Sequence, residues 1–219
     1  MAAGEEAAMT GLPDFSFEAA ALARGLTRIC GVDEAGRGPL CGPVVAAAVT
    51  LVPGAIPEGL DDSKKLTAKR REALFDRIRL SADVGIGIAS VEEVDRLNIL
   101  RASHVAMTRA IAALGRTADH VLIDGNLIPR ELSVSAEAIV KGDARSLSIA
   151  AASIIAKVTR DRMMRDYDAT FPGYGWGRNK GYGTPDHRAA LIRLGPTPLH
   201  RRSFAPVARV CAGAVLPGE

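Results

Sequence analysis

Cysteine is scarce: the 219 residues contain only Cys30, Cys41 and Cys211, an odd number with no zinc-type spacing. Such a set suits reduced thiols in a cytosolic compartment, and none of the three stands where a nucleophile would be sought. Charge of one sign is equally scarce, with a formal net charge of +3. That is too little to advertise nucleic-acid binding, so any basic surface must come from clustering. Long apolar runs are missing too once glycine, proline and charges are counted, and the opening MAAGEEAAMTG is acidic where a signal peptide would be basic. The expectation is a cytoplasmic protein with no membrane partner. What the chain does have is 47% hydrophobic residues, ample for a core. We expect one domain over residues 17–207, with a flexible extension at 1–16 and a tail at 208–219.

The chain is organised around GVDEAGRGPLCGP, Gly31 to Pro43. It lies between Thr27–Cys30 and the apolar run Val44 to Leu51, which predicts a strand, a glycine-rich turn and a second strand. A dinucleotide fingerprint starting at Gly36 fails, because Cys41 takes the third glycine's place and the loop leads into a strand. A P-loop starting at Gly31 fails as well, because Arg37 and Gly38 stand where Lys and Ser or Thr are needed. What remains is a turn of small residues whose backbone N–H groups, with Arg37, can approach an anionic strand. Beside it are two adjacent acids, Asp33 and Glu34. Neighbouring carboxylates repel unless a cation or hydrogen-bond donors hold them charged, so a divalent metal is the natural suspect. A hairpin with solvated acids is the alternative.

Further along, a Pro/Gly loop delivers Asp61, Asp62, Ser63, Lys64 and Lys65 to the start of an amphipathic helix capped by Thr67, whose Leu74, Phe75 and Ile78 share one face. Lys64 and Lys65 are better phosphate candidates than the charges along that helix. Val84 to Ala89 predicts a third strand, and Ile99 to Leu114 a long helix. The short run His120 to Ile123 ends at Asp124 and Gly125, a carboxylate at a strand end, where ligands collect in open α/β sheets. An ordinary hairpin turn would use the same Asp-Gly pair. A polar edge strand is expected over Leu132 to Val140. Asp143 follows, just ahead of a deeply buried helix from Ser146 to about Tyr167, where an acid would also suit the helix dipole. Asp161, between Arg160 and Arg162, suits an ion pair.

Phe171 to His187 mixes glycine, aromatics and cations in a loop composed to stack a base or sugar and neutralise phosphates, although Tyr174 and Trp176 could equally pack the loop onto the core. Thr184, Pro185 and Gly195 bracket a helix expected to dock through Ala189, Leu191, Ile192 and Leu194. His200, Arg201, Arg202 and Ser203 form a further basic cluster.

Together GVDEAGRG, DDSKKL, LIDGN, KGDARSLSIAAASIIAKVTRDR and NKGYGTPDH closely resemble bacterial ribonuclease HII, in the family's order and over about Thr27 to Phe204. The resemblance implies a ribonuclease H-like α/β fold: a mixed sheet of about five strands, the first three antiparallel, flanked by helices, with a small C-terminal helical part. It implies a metal-dependent endoribonuclease acting on RNA–DNA hybrids and on single ribonucleotides in duplex DNA, with Mg2+ or Mn2+ and two ions per site. Asp33, Glu34, Asp124 and Asp143 match the family's catalytic, metal-binding carboxylates. Gly36, Arg37 and Gly38 match the loop that reads the 2′-hydroxyl, and Tyr182 the tyrosine that stacks on the next deoxyribose. Ser63, Lys64 and Lys180 fall in its substrate-contacting blocks. One departure is Asn179, where His often precedes the Lys of the KGYGT block. No clamp-interaction peptide is evident in ARVCAGAVLPGE, so no obligate protein partner is expected.

Overall fold

The computed structural model describes residues 11–213. Its framework is a five-stranded sheet in the order β3-β2-β1-β4-β5. Strands β1 (Ile29–Ala35), β2 (Val44–Leu51) and β3 (Ala82–Ala89) form an antiparallel meander, while β4 (His120–Asp124) runs parallel to β1 and β5 (Ser135–Ile139) parallel to β4.

The continuous apolar run of β2 has a physical reason, for both faces of the strand are covered. Ala46 and Ala48 pack against α4 (Ile99–Ala112) through Ala102, Ala106, Met107 and Ala110. Ala47, Val49 and Leu51 pack on the opposite face against α2 (Ala68–Ser81) and α5 (Leu147–Thr170). The expected face of α2, Leu74, Phe75 and Ile78, is the buried one. In β3 the glycines alternate because α4 lies directly on them: a Cβ at Gly85 or Gly87 would sit 2.1 Å from the Ala110 or Ala106 carbonyl oxygen.

α1 (Ser16–Ala23) straps the start of α5, where buried Glu18 accepts hydrogen bonds from the Ser146 hydroxyl at 2.6 Å and the Ser148 backbone at 2.9 Å. Asp14 also bridges to Ser146, so packing begins before Phe17, while residues 1–10 of the expected extension lie outside the described region. α3 (Val91–Leu97) carries a Ser90–Glu93 capping box.

Beyond α5, the short α6 (Trp176–Asn179), α7 (Pro185–Leu194) and α8 (Ala205–Cys211) form a helical annex at one side of the sheet. Two expectations shift and one open alternative is decided. The edge strand contracts to Ser135–Ile139, because Leu132 and Val134 turn in against the α4 side of the core before pairing starts. α7 docks through His187, Ala190 and Leu191, an i, i+3, i+4 stripe that leaves Ile192 and Leu194 56% and 44% exposed. Tyr174 and Trp176 stack on each other at 5.0 Å and are buried with Met164 and Cys41, so they pack the loop rather than face a substrate. No helix among the described residues is long and apolar enough to cross a membrane.

Candidate active site

The geometry follows from the sheet order. β1 and β4 are adjacent and parallel, with Val32 opposite Ile123, so their C-terminal ends deliver Asp33 and Asp124 side by side. Asp143 arrives from a single 3-10 turn, Gly142–Ala144, between β5 and the Ser146 cap of α5. The turn is tied to β4 directly: Asp124 Oδ1 accepts the Gly142 N–H at 2.7 Å and the Asp143 N–H at 3.4 Å. Ligand oxygens of Asp33, Asp124 and Asp143 consequently lie within 4.8 Å of one another. Glu34 stands outside that trio but lines the same depression, of about 260 Å3, with Arg37 Nη1 donating to its Oε1 at 3.1 Å. Its other oxygen, Oε2, is buried with no protein partner.

The electrostatics match a cation site. Burial pushes the Asp33 carboxyl well above the usual carboxylate range, and the charges of Glu34, Asp124 and Asp143 push it the same way. Asp124 is raised by burial and by Asp143, against the pull of the Gly142 and Asp143 N–H groups and Lys64. Glu34 is raised by burial although Arg37 opposes the shift. Crowded, dehydrated oxygens with an unpartnered member are suited to a hard divalent ion, which would relieve the repulsion that the fold imposes.

Lys64 Nζ donates to Asp143 Oδ2 at 3.1 Å and stays largely exposed. Burial works to lower its pKa, but the Asp143 bond and the charges of Asp143, Asp62 and Asp33 raise it on balance. Ser63 lines the depression but is buried, its N–H donating to the Ser153 hydroxyl at 3.3 Å. Gly36, Arg37 and Gly38 form one wall, and Tyr182, 45% exposed, stands across from Gly38 with ring atom Cε1 3.6 Å from where a Cβ would be. Lys180 is elsewhere: it lines a neighbouring depression, and its ammonium donates to the Gly177 carbonyl.

Two buried arginines, Arg160 beside Asp161 and Arg201 of the expected basic cluster, hold this wall in place. Arg201 is fully buried and donates to the carbonyls of Gly36, Arg37, Pro39 and Gly42 at 2.6–3.0 Å. Arg160, 1% exposed, reaches the Pro43, Cys41 and Lys180 carbonyls at 3.0, 3.0 and 2.9 Å, joining the glycine turn to the Tyr182 loop. Gly36 has φ of 98°, and a Cβ there would lie 2.0 Å from Arg160 Nε, so both conformation and space demand glycine. His200 of the expected basic cluster is likewise buried, and Asp161 pairs with Lys157 at 2.7 Å rather than with either flanking arginine. Asn179 braces its own loop, its side chain accepting from the Gly181 N–H and donating to the Tyr174 carbonyl, both at 2.8 Å.

Cys41, His187 and His200 form a second cluster with ligand atoms within 4.8 Å, but its lone pairs are already used. His200 Nδ1 accepts the Thr197 N–H at 3.0 Å, which puts the His200 proton on Nε2, facing His187 Nε2 at 3.2 Å. His187 Nε2 also accepts from Trp176 Nε1 at 3.0 Å, and His187 Nδ1 donates to the Tyr182 carbonyl at 2.9 Å. Burial pushes the Cys41 thiol up to about 12, so no thiolate is on offer. This group is a hydrogen-bonded support beneath the Tyr182 loop.

The family model described as Ribonuclease HII matches residues 30–207. Ribonuclease HII of Ruegeria pomeroyi is 63% identical over 207 residues, 94% of this chain and 88% of the relative. That of Magnetococcus marinus is 59% identical over 199 residues, 89% of this chain and 93% of the relative. Among solved structures, ribonuclease H2 from Pyrococcus horikoshii superposes with a TM-score of 0.69 at 26% identity, covering 84% of this chain and 97% of its own. Bst-RNase HIII in complex with Mn2+ shares the fold at a TM-score of 0.68 and 18% identity, covering 85% of this chain and 70% of its own. With acids converging at the ends of two parallel strands and this likeness along most of its length, the chain belongs to the ribonuclease HII family, metal-dependent hydrolytic endonucleases that cleave RNA in RNA–DNA hybrids and at ribonucleotides embedded in DNA.

Proposed function

We propose that Asp33, Glu34, Asp124 and Asp143 hold two divalent ions, Mg2+ or Mn2+, and that the chain cuts on the 5′ side of a ribonucleotide to leave 3′-hydroxyl and 5′-phosphate ends. The observation carrying this reading is the approach of three acids, remote in sequence, to within 4.8 Å. When bound, such ions supply a nucleophilic water and stabilise the leaving oxygen.

The chain's own residues do the rest. Asp33, buried like Asp143 and pressed by all three other acids, fixes the site's centre, while Asp124 positions Asp143 by holding the turn that carries it. Arg37 and the backbone of Gly36 and Gly38 face the ribose and read its 2′-hydroxyl. Tyr182 stacks on the following deoxyribose, so the pair discriminates an RNA-to-DNA step. Lys64 and Lys180 neutralise phosphates without reading sequence. Bst-RNase HIII crystallised with Mn2+ supports the choice of ion class, and the RNase HII of Archaeoglobus fulgidus has been solved in a complex with PCNA. We propose no obligate partner for this chain; residues 214–219 lie outside the described region. Free Cys30, Cys41 and Cys211 fit a cytoplasmic enzyme that removes misplaced ribonucleotides and RNA primers, built as one catalytic domain that starts with the Asp14 bridge and includes α8.

Duplexes with one ribonucleotide and with none, incubated with Mn2+ and either wild type or Asp33→Asn, test the reading. Cleavage is expected only for wild type on the ribonucleotide duplex. Equal cutting of all-DNA duplex would defeat it.

A further inference from the structure

We infer that the cleft continues past Tyr182 into a second, phosphate-binding groove between α2 and α5, closed by α6, which holds the backbone on the 3′ side of the ribonucleotide. This inference rests on the proposed function for the polarity of the strand. The groove is a depression of about 440 Å3. Tyr182 and Lys157 line both it and the acidic cleft, so the two depressions adjoin, with the tyrosine ring at their border.

Its charge is unbalanced. The acids on its walls are Glu72 and Asp161, and both are already engaged. Glu72 is gripped by Arg162 and by Arg165 at 3.1 Å, and Asp161 by Lys157. Arg71 spends its guanidinium on the Ser63 and Leu66 carbonyls at 2.8 and 2.6 Å. Among the described residues, Arg178 and Lys180 make no ion pair, and they converge on the same space. Lys180 is the left-handed C-cap of α6, at φ of 53°, and lines the groove with its ammonium on the Gly177 carbonyl. Burial lowers the Lys180 pKa, as do the charges of Arg165 and Lys157, while Asp161 and Asp168 oppose them. An anion in the groove would reverse that penalty.

The ligand chemistry follows from position. A strand engaged at the acids carries a phosphate about every 3.4 Å of rise, so its next phosphates must cross Tyr182 and meet these cations. Arg178 also lines the next depression along, together with Arg193 and one acid, Asp186. Such contacts orient the duplex without specifying bases.

The test pairs Arg178→Ala/Lys180→Ala with substrate chemistry. Arg178 is exposed and Lys180 half-buried, and both line the groove, so the variant removes the two cations argued to meet the phosphates and leaves the Glu72 and Asp161 pairs in place. Affinity is measured by fluorescence anisotropy for a single-ribonucleotide duplex with normal linkages, and for one with neutral methylphosphonates at the second to fourth linkages 3′ of the ribonucleotide. Wild type is expected to bind the neutral duplex about tenfold more weakly, and the variant to bind both duplexes at that weaker level with a salt slope smaller by about 2. A wild type indifferent to the neutral linkages, or a variant still weakened by them to the same extent, would overturn the groove. Failure of wild type to cut the normal duplex with Mn2+ would instead overturn the functional reading, since the binding measurement needs no cleavage.

Discussion

Asp33 sits where three other carboxylates press on it, and its stability contribution has a definite sign. A carboxyl whose folded-state pKa is raised supports the fold below the ordinary carboxylate range and ceases to do so as pH rises through the raised value. At neutral pH the metal-free protein therefore carries repulsion that Asp33→Asn removes. We expect that variant's melting temperature in chelator to exceed wild type's by about 2–4 °C for each kcal/mol relieved, and the difference to shrink as pH falls toward 4. A variant less stable than wild type at neutral pH would count against this account. Arg201 presents the opposite case. Burial and neighbouring Arg160 push its pKa down to about 9, so it stays charged at neutral pH with carbonyls as partners. Arg201→Lys cannot span those oxygens, and we expect a loss of about 2–4 kcal/mol in denaturant unfolding together with reduced cleavage. The acids were legible because adjacent carboxylates at strand ends need an explanation; the arginines were not, because Arg160 and Arg201 each sit among charged or polar neighbours that resemble a solvated face.

At the scale of elements, periodicity served the helices well and the loops poorly. The apolar stripe of α2 and the Thr184 and Pro185 start of α7 were readable, since caps and spacing are local. Which side of α7 docks was not, because its apolar residues outnumber its buried ones. Nor could spacing reveal that Trp176, His187 and His200 join into one buried network. That network titrates. Burial, with His187 alongside, lowers His200 to about 4, while an unfolded histidine titrates near 6.5. The unfolded chain takes up protons first, so stability falls as pH drops from about 6.5 to about 4, by up to about 3 kcal/mol. His200→Asn, which keeps an acceptor for the Thr197 N–H, is expected to flatten that slope in melting curves. An unchanged slope would mean the histidines are not the titrating groups.

For the whole molecule, topology converts a list of separated acids into a site. The crossing from antiparallel meander to parallel strands makes β1 and β4 neighbours, and the β5-to-α5 turn returns Asp143 over their ends. None of this adjacency is local in sequence, so residue patterns alone supplied the members while the family likeness supplied their meeting. The same topology sets Tyr182 and its supporting annex across the cleft, where Tyr182→Ala should lose more activity on a single-ribonucleotide junction than on an all-RNA strand paired with DNA. Equal losses would argue against junction sensing.

The most direct test of the gathered acids is calorimetric titration of Mn2+ into wild type and into Asp33→Asn, Asp124→Asn and Asp143→Asn, each confirmed folded by circular dichroism. Every single variant should bind at least about tenfold more weakly than wild type, because each removes one charged oxygen ligand from a shared site. Undiminished affinity in any of the three would contradict the account.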